Sequence, residues 1–300
     1  MRWRFLDTGV GDGPYNMAVD EALLVRCAAR RSPPVVRLYR WSPWTVSLGR
    51  MQDAGRLNRE RCAEDAVPIV RRPTGGRAVF HAEEVTYSFV ASLEDLPSAP
   101  TVGETYRFVA SVLVEALRSL GVPAEVASAS AEVASASAGD PGVEVPGDSP
   151  GAGSIRRSPC FASVSRYEIC VAGRKLVGSA QRRWPGAVLQ HGSILTGPAH
   201  CRIARYLAGG SGALEERLKK RTTSIEAIVG RKVDTAELGA CLRRASGDVW
   251  GLDMVEDTLG RAEAEAARRL VRSKYGTPGW TDRVAREPEP APGAPRGDEP

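Results

Sequence analysis

Two glycine-punctuated strand patterns, far apart in the sequence, constrain this 300-residue chain more than anything else in it. Residues 71–90, RRPTGGRAVFHAEEVTYSFV, read as strand, glycine turn, strand, polar break and strand. Gly75 and Gly76 lack a Cβ, so the turn admits positive φ and close approach of backbone to a ligand. Arg71, Arg72 and Arg77 cluster round it, and His81 follows at the end of the next strand. Taken alone, such a turn is more often a β-hairpin with solvated arginines. A second stretch changes the weighting. Residues 173–195, GRKLVGSAQRRWPGAVLQHGSIL, place Lys175 and His191 among glycines in the same manner. Backbone N–H groups, cations and imidazoles can then converge on one small ligand.

The rest of the chain supplies a frame. Apolar residues at 19, 22, 23, 24 and 27 predict an amphipathic helix from an Asn16 N-cap to about Arg31, ended by Pro33-Pro34. VVRLYRW (35–41) and TVSLGR (45–50), split by Ser42-Pro43, predict hairpin strands. Residues 57–66 suggest a short helix and 68–72 a strand leading into the glycine turn. Thr101 and Glu104 form a T-x-x-E capping box for a helix to Leu120, closed by Gly121 and Pro123. Segments 166–173, 175–183 and 187–197 predict three successive antiparallel strands. Helices follow at 200–208, 212–220, 224–229, 234–246 (Asp234 with Glu237) and 254–276. Antiparallel strands with helices before and after, without strict βαβ alternation, define an α+β domain. The heptapeptide AEVASAS, written twice over 124–137, opens a run of Ala, Ser, Gly and Pro. Residues 127–155 therefore read as a disordered surface insertion and 284–300 as a disordered tail, leaving one domain over 1–283.

Composition excludes several classes. An apolar fraction of 42% with 26% charge is that of a globular protein. No apolar run approaches the ~20 residues of a membrane span. The first residues lack a signal-peptide core, which places the chain in the cytoplasm. Six cysteines without a CxxC pair argue against a disulfide framework and a zinc cluster. Neither a Walker A motif nor G-x-G-x-x-G occurs. Acidic residues concentrate in 124–158 and in the tail, so the body is more basic than the net +5 of the whole. A basic body suits acidic partners. With no nucleic-acid motif, acidic carrier proteins rank ahead of RNA, and no membrane partner is indicated.

Cys160, in RRSPCFASVSRYEI, has Arg156, Arg157 and Arg166 near it in sequence, and cations raise the thiolate fraction. A cysteine at a strand start is otherwise a half-buried packing residue. Lys175 is by default a solvated strand lysine, but in a pocket it can orient a carbonyl or act as a base. His81 and His191 are each more often packed histidines than catalysts. No Ser-His-Asp order or metal-ligand spacing can be built from three histidines.

In combination, the motifs resemble a known family. DTG…NMAVDEALL, RLYRWSPWTVSLGRMQ, RRPTGGRAVFH, TYSFV, CF, GRKLVGSAQRR and VLQHGSIL, in that order, closely resemble the lipoate–protein ligases and octanoyltransferases. The likeness covers roughly residues 1–125 and 156–283. It implies the class II synthetase-like α+β fold shared with biotin ligases, a mostly antiparallel sheet flanked by helices. Arg77 stands where the ATP-dependent ligases have a third glycine, and HAEEVTYS replaces their HDLGN. Both changes resemble the octanoyltransferase branch, although Ala82 departs from its usual Asp, and the insertion before Cys160 is large.

The resemblance implies octanoyl transfer from acyl carrier protein, through a Cys160 thioester, to a lysine of a lipoyl domain or glycine-cleavage H protein. Lys175 would hold the carbonyl and help deprotonate the amine. Backbone N–H groups around Gly75, Gly76, Gly178 and Ser179 would face the oxyanion. Arg72, Arg77, His81, Ala180, His191 and Gly192 would complete the substrate pocket. The thioester supplies the energy, so no cofactor, ATP or metal is needed. Alternatives remain: an ATP- and Mg²⁺-dependent lipoate ligase, an amidotransferase between lipoyl-bearing proteins, and a lipoyl-domain-binding module without catalysis.

Overall fold

The computed structural model describes residues 3–96, 101–127 and 167–283. Cys160, the insertion beyond residue 127 and the tail lie outside the described residues. Strand β1 (Trp3–Gly11) leads into helix α1 (Gly13–Ala28), then β2 (Val35–Trp41) and β3 (Thr45–Leu48). Helix α2 (Arg59–Glu64), β4 (Ile69–Arg71), β5 (Val79–His81) and β6 (Glu84–Ser92) precede helix α3 (Val102–Ser119). After β7 (Glu125–Val126) come β8 (Ile169–Val171), β9 (Arg174–Trp184) and β10 (Ala187–Leu195). Helices α4 (Gly212–Arg221) and α5 (Thr235–Trp250), strand β11 (Met254–Asp257) and helix α6 (Arg261–Leu270) follow.

Among the described residues, eight strands form one mixed, mostly antiparallel sheet in the order β11-β1-β2-β6-β10-β9-β8-β7. A smaller sheet runs β4-β3-β5. Side-chain alternation decides which layer each residue joins. On β2, Val35 and Tyr39 pack with Met17, Leu23 and Leu24 of α1 and Ala267 of α6. Val36 and Leu38 face the other way, into the layer of Val109 and Leu113 from α3 and Leu238 and Leu242 from α5. The same parity puts Val90 of β6 and Leu189 of β10 on the α1 side. Polar residues of that parity, including Thr86, His191 and Ser193, are therefore drawn beneath α1 as well, and they build the site.

The three successive strands appear as β8-β9-β10, and the Thr101–Glu104 capping box is formed, with Glu104 reaching back to the Thr101 N–H at 2.7 Å. Other expectations are corrected. The glycine turn does not close a hairpin: β4 and β5 flank β3 on opposite sides, parallel and antiparallel to it respectively. β2 and β3 are likewise in different sheets, because Val46 and Leu48 pack with Leu57, Cys62 and Phe80 while Tyr39 and Trp41 pack under α1. A Ser-Pro break marks where a strand ends, not which neighbour it pairs with. Helix α1 starts earlier than Asn16: Asp12 accepts from the Tyr15 N–H at 2.8 Å, and Pro14 opens the first turn. The 254–276 segment is not one helix. Its first residues add parallel to the edge of β1, Trp3 opposite Met254, before α6 begins.

Candidate functional site

Two buried carboxylates under α1 organise the site. Asp20 of α1 is fully buried and receives Arg37 Nη1 at 2.7 Å, the Tyr39 hydroxyl at 2.9 Å and His191 Nδ1 at 2.9 Å. Burial alone would raise its carboxyl, but the His191 hydrogen bond and the Arg37 charge outweigh that and hold it below the usual carboxylate value. Asn16, one turn earlier, accepts from Arg37 Nη2 at 2.9 Å. The Arg37 guanidinium stacks 3.9 Å over the Tyr39 ring, which leaves that ring no freedom.

Glu84, at the start of β6, is the second. Its Oε1 accepts from His81 Nδ1 at 2.8 Å, the Thr86 hydroxyl at 2.6 Å and the Ser193 hydroxyl at 2.9 Å. Trp41 donates its indole N–H to Thr86 at 2.7 Å and stacks on the His81 ring at 3.9 Å. Burial depresses the His81 imidazole below its ordinary value despite the attraction of Glu84, so the ring is neutral near pH 7. With Nδ1–H committed to Glu84, Nε2 accepts from the Ser47 hydroxyl at 2.6 Å, and Ser47 in turn accepts from Arg72 Nη1 at 2.6 Å. His191 is arranged alike: Nδ1 faces Asp20, and Nε2 lies 2.6 Å from the Thr74 hydroxyl.

Both nitrogens of both histidines are thus occupied, and their ring faces are what remains to line space. They line a pocket with about 330 Å³ of empty space, part of it open to solvent, whose other walls are Met17, Tyr39, Trp41, Val79, Gly178, Ser179, Ala180 and Gly192, with Arg72, Thr86 and Ser193. Met17 and Tyr39 are fully buried at its closed end, whereas Ser179 and Ala180 are half-buried at its open one. Residues with polar names have spent their polarity on one another and present carbon. The cavity suits an apolar chain.

The strand register explains the glycines of the second motif. His191 lies opposite Ala180, Gly192 opposite Ser179 and Ser193 opposite Gly178. A Cβ on Gly192 would sit 2.4 Å from the Gly178 carbonyl oxygen and 2.7 Å from Tyr87 Cε1. The Ser179 hydroxyl is held by Tyr87 at 2.7 Å, so only the rest of that residue is presented to the cavity. The first motif's turn closes over the open end. Gly76, at φ +91°, lies beside Ala180, and its carbonyl oxygen packs where a Cβ on Gly49 would be, at 1.9 Å. Gly49 is therefore as constrained as the glycines of the turn itself.

The structure thus brings Arg72, His81, Gly178, Ser179, Ala180, His191 and Gly192 round one cavity, with Gly75 and Gly76 at its rim. Arg77, half-buried, follows them in the turn. Arg71 is not part of it. That side chain is fully buried and donates to the carbonyls of Gly49, Gln52 and Thr281, tying the C-terminal segment to β4. Without a carboxylate among these acceptors, burial and the nearby Arg283 charge bring its pKa down to about 10. Lys175, at the start of β9, is fully buried and ion-paired with Glu168, close to Thr222 and His200 and outside the cavity lining. The five cysteines among the described residues are all buried, and burial pushes Cys27, Cys62, Cys170 and Cys201 each up to about 11, so none is an activated thiol.

Sequence reasoning missed Asp20, Arg37, Ser47, Thr74, Glu84 and the cavity floor of Met17 and Tyr39. A signal existed for two of them: charged residues inside otherwise apolar patterns, Asp20 in NMAVDEALL and Arg37 in VVRLY, are buried only with a partner.

Fold and cavity together define a lipoate-ligase-like catalytic domain. The lipoic-acid-bound putative lipoate protein ligase of Thermoplasma acidophilum superposes with a TM-score of 0.69 at 24% identity, covering 94% of this chain and 99% of that one. Lipoate-protein ligase A bound with ATP also gives 0.69, at 23% identity, covering 94% and 99%. The family model of the lipoyl protein ligase A/B catalytic domain matches residues 12–246, and the chain belongs to that family. Within it, octanoyltransferase LipM of Moorella thermoacetica is 36% identical over 286 residues, 94% of this chain and 98% of the relative. The Bacillus subtilis LipM is 32% identical over 283 residues, 93% and 97% respectively.

Proposed function

We propose that this chain is an octanoyltransferase of lipoate assembly, taking an octanoyl group from acyl carrier protein and placing it on a lysine of a lipoyl domain. The observation that carries the reading is the cavity, whose histidines, tryptophan and serines are bonded to neighbouring carboxylates and hydroxyls and leave carbon walls, in a chain matched over 94% of its length by an octanoyltransferase. Burying the six methylenes of an octanoyl chain at ~0.8 kcal/mol each supplies about 5 kcal/mol of binding. Cys160 is the nucleophile in this reading. Its thiolate attacks the donor thioester carbonyl, the donor C–S bond breaks, and the carrier thiol leaves. The acceptor amine then attacks octanoyl-Cys160, the second C–S bond breaks, and the proton shed by the amine ends on the departing Cys160 sulfur as the amide forms. Lys175 orients the carbonyl and assists that proton's departure. The H protein of glycine cleavage is the first acceptor to try. No helix among the described residues is long and apolar enough to cross a membrane, and the basic body suits two acidic carriers.

The test is an ATP-free transfer assay read by intact mass. Octanoyl-acyl carrier protein is mixed with this protein, then with an unmodified lipoyl domain. An octanoyl adduct that maps to Cys160, passes to the acceptor lysine and is absent in Cys160→Ser supports the proposal. Modification only with ATP, Mg²⁺ and free octanoate or lipoate would make it a ligase instead.

A further inference from the structure

We propose that Arg72 is a positioning residue for transition-state stabilisation: it acts on the substrate carbonyl through the backbone of the glycine turn rather than by donating to that carbonyl itself. The inference rests on the acyl-transfer reading above. Arg72 is buried, with 4% of its surface exposed. Its Nη1 donates to the Ser47 carbonyl at 3.0 Å and the Ser47 hydroxyl at 2.6 Å. Its Nη2 donates to the Gly75 carbonyl at 3.0 Å and the Arg77 carbonyl at 2.9 Å. Four of the five guanidinium N–H donors are therefore engaged by β3 and the turn. A guanidinium placed to hold a substrate anion would present a free edge; this one is a brace.

Its consequence follows from peptide planarity. In a trans peptide the N–H of the next residue points opposite to the carbonyl. Drawing the Gly75 carbonyl inward onto Arg72 turns the N–H of Gly76 outward, while the Arg77 carbonyl on the same guanidinium fixes the far side of the turn. Gly76 is exposed, lies beside the half-buried Ala180 at the cavity's open end, and has no side chain to cover its N–H. An acyl chain with its tail against Met17 and Tyr39 brings its thioester carbonyl to that end. When a nucleophile attacks, the π pair moves onto oxygen, and an outward Gly76 N–H fixed beforehand stabilises it before it collapses and expels the thiolate. Serine hydroxyl, guanidinium and His81 form one chain from Glu84 to the turn, so the turn is held by the same network that shapes the cavity.

The experiment compares wild type with Arg72→Lys and Arg72→Gln in single-turnover acylation by octanoyl-acyl carrier protein and in transfer from the acyl-enzyme to a lipoyl domain. Lysine keeps the charge but cannot brace two carbonyls at this spacing. Both variants are expected to lose on the order of 10²-fold in rate in both half-reactions, with donor KM little changed. The discriminating readout is a donor dithioester, whose sulfur anion fits oxyanion donors poorly. Wild type should prefer the ordinary thioester, whose carbonyl carries oxygen, strongly over the dithioester, and that preference should collapse in the variants. A raised donor KM with unchanged rate, or a retained oxygen-over-sulfur preference, would refute the positioning role. If folding suffers, seen by thermal melting, Ser47→Ala tests the same brace from its other end and should weaken the same preference. Failure of wild type to transfer at all would sink the acyl-transfer reading itself, a separate outcome.

Discussion

Asp20 and Arg37 offer the sharpest check on how the site is built. Both side chains are fully buried, 2.7 Å apart. Removing one partner of such a pair strands the other charge and costs ~3–5 kcal/mol, whereas replacing both by groups of similar volume is often close to neutral. Asp20→Asn puts an amide where one carboxylate oxygen receives Arg37 and the other receives both Tyr39 and His191. At least one donor then faces another donor. Arg37→Met leaves the buried carboxylate without its guanidinium partner. Each single variant should therefore lose about 3–5 kcal/mol in urea unfolding, and the double variant distinctly less than the two added together. The pH dependence has a definite sign. Asp20 is held below its unfolded value, so its contribution is present in full above pH ~4 and is lost as pH falls through the lower folded value. Wild type should thus lose stability on acidification below pH ~4 by more than Asp20→Asn does. Additive single-variant losses in the double variant, or parallel acid limbs, would show that the pair does not carry the stability assigned to it.

Two further outcomes follow from the cavity. Met17→Ala shortens the only flexible side chain at the closed end. In competition among acyl donors it should shift preference toward decanoyl by roughly 15-fold for two methylenes, read by mass spectrometry of the modified acceptor. An unchanged octanoyl-to-decanoyl ratio would place the chain terminus elsewhere. Gly192→Ala drives a Cβ against the Gly178 carbonyl and the Tyr87 ring, so it should cost ~1–3 kcal/mol in stability and also lower transfer by moving β9 away from β10; full activity with a wild-type melting temperature would contradict it.

How much of this was legible beforehand depends on what kind of contact each residue makes. The antiparallel run β8-β9-β10 and the capped helix α3 are local, and their signals were alternation, tight turns and a T-x-x-E box. The glycine turn was recognised as a site feature, yet its pairing was misjudged. Which strand lies between β4 and β5 is settled by Phe80 packing on Tyr206 and by Arg71 reaching Thr281, contacts made across much of the chain. The first residues of 254–276 carry helix-compatible letters, but the unpaired edge of β1 took them as a strand. His81 and His191 were named from the sequence and both line the cavity, while their carboxylate partners were not named. Nothing local in NMAVDEALL says that Asp20 will meet a histidine on β10; that needs the side-chain parity of β2, β6 and β10 beneath α1.

That parity also bears on what the histidines can do. A general base needs a nitrogen lone pair within reach of the proton it removes. In His81 the one lone pair is taken by Ser47, and in His191 Nε2 is engaged by Thr74, with a carboxylate on the far side of each ring. Using either as a base would mean breaking a buried hydrogen bond and turning a hydroxyl away from its partner. Proton transfer is therefore better assigned outside the cavity. We propose Lys175, on the strand that carries Gly178 and Ala180 and paired with the buried Glu168, as the group that assists it. The division of labour we propose is physical: the side chains round the pocket bond to neighbouring polar groups and present carbon to the acyl chain, and the proton transfer is assigned to groups outside it. If that division holds, His191→Gln, which can still bridge Asp20 and Thr74, keeps much of the transfer rate at saturating donor but loses affinity for the acyl chain. A loss confined to the rate, with affinity intact, would return the histidine to the chemistry.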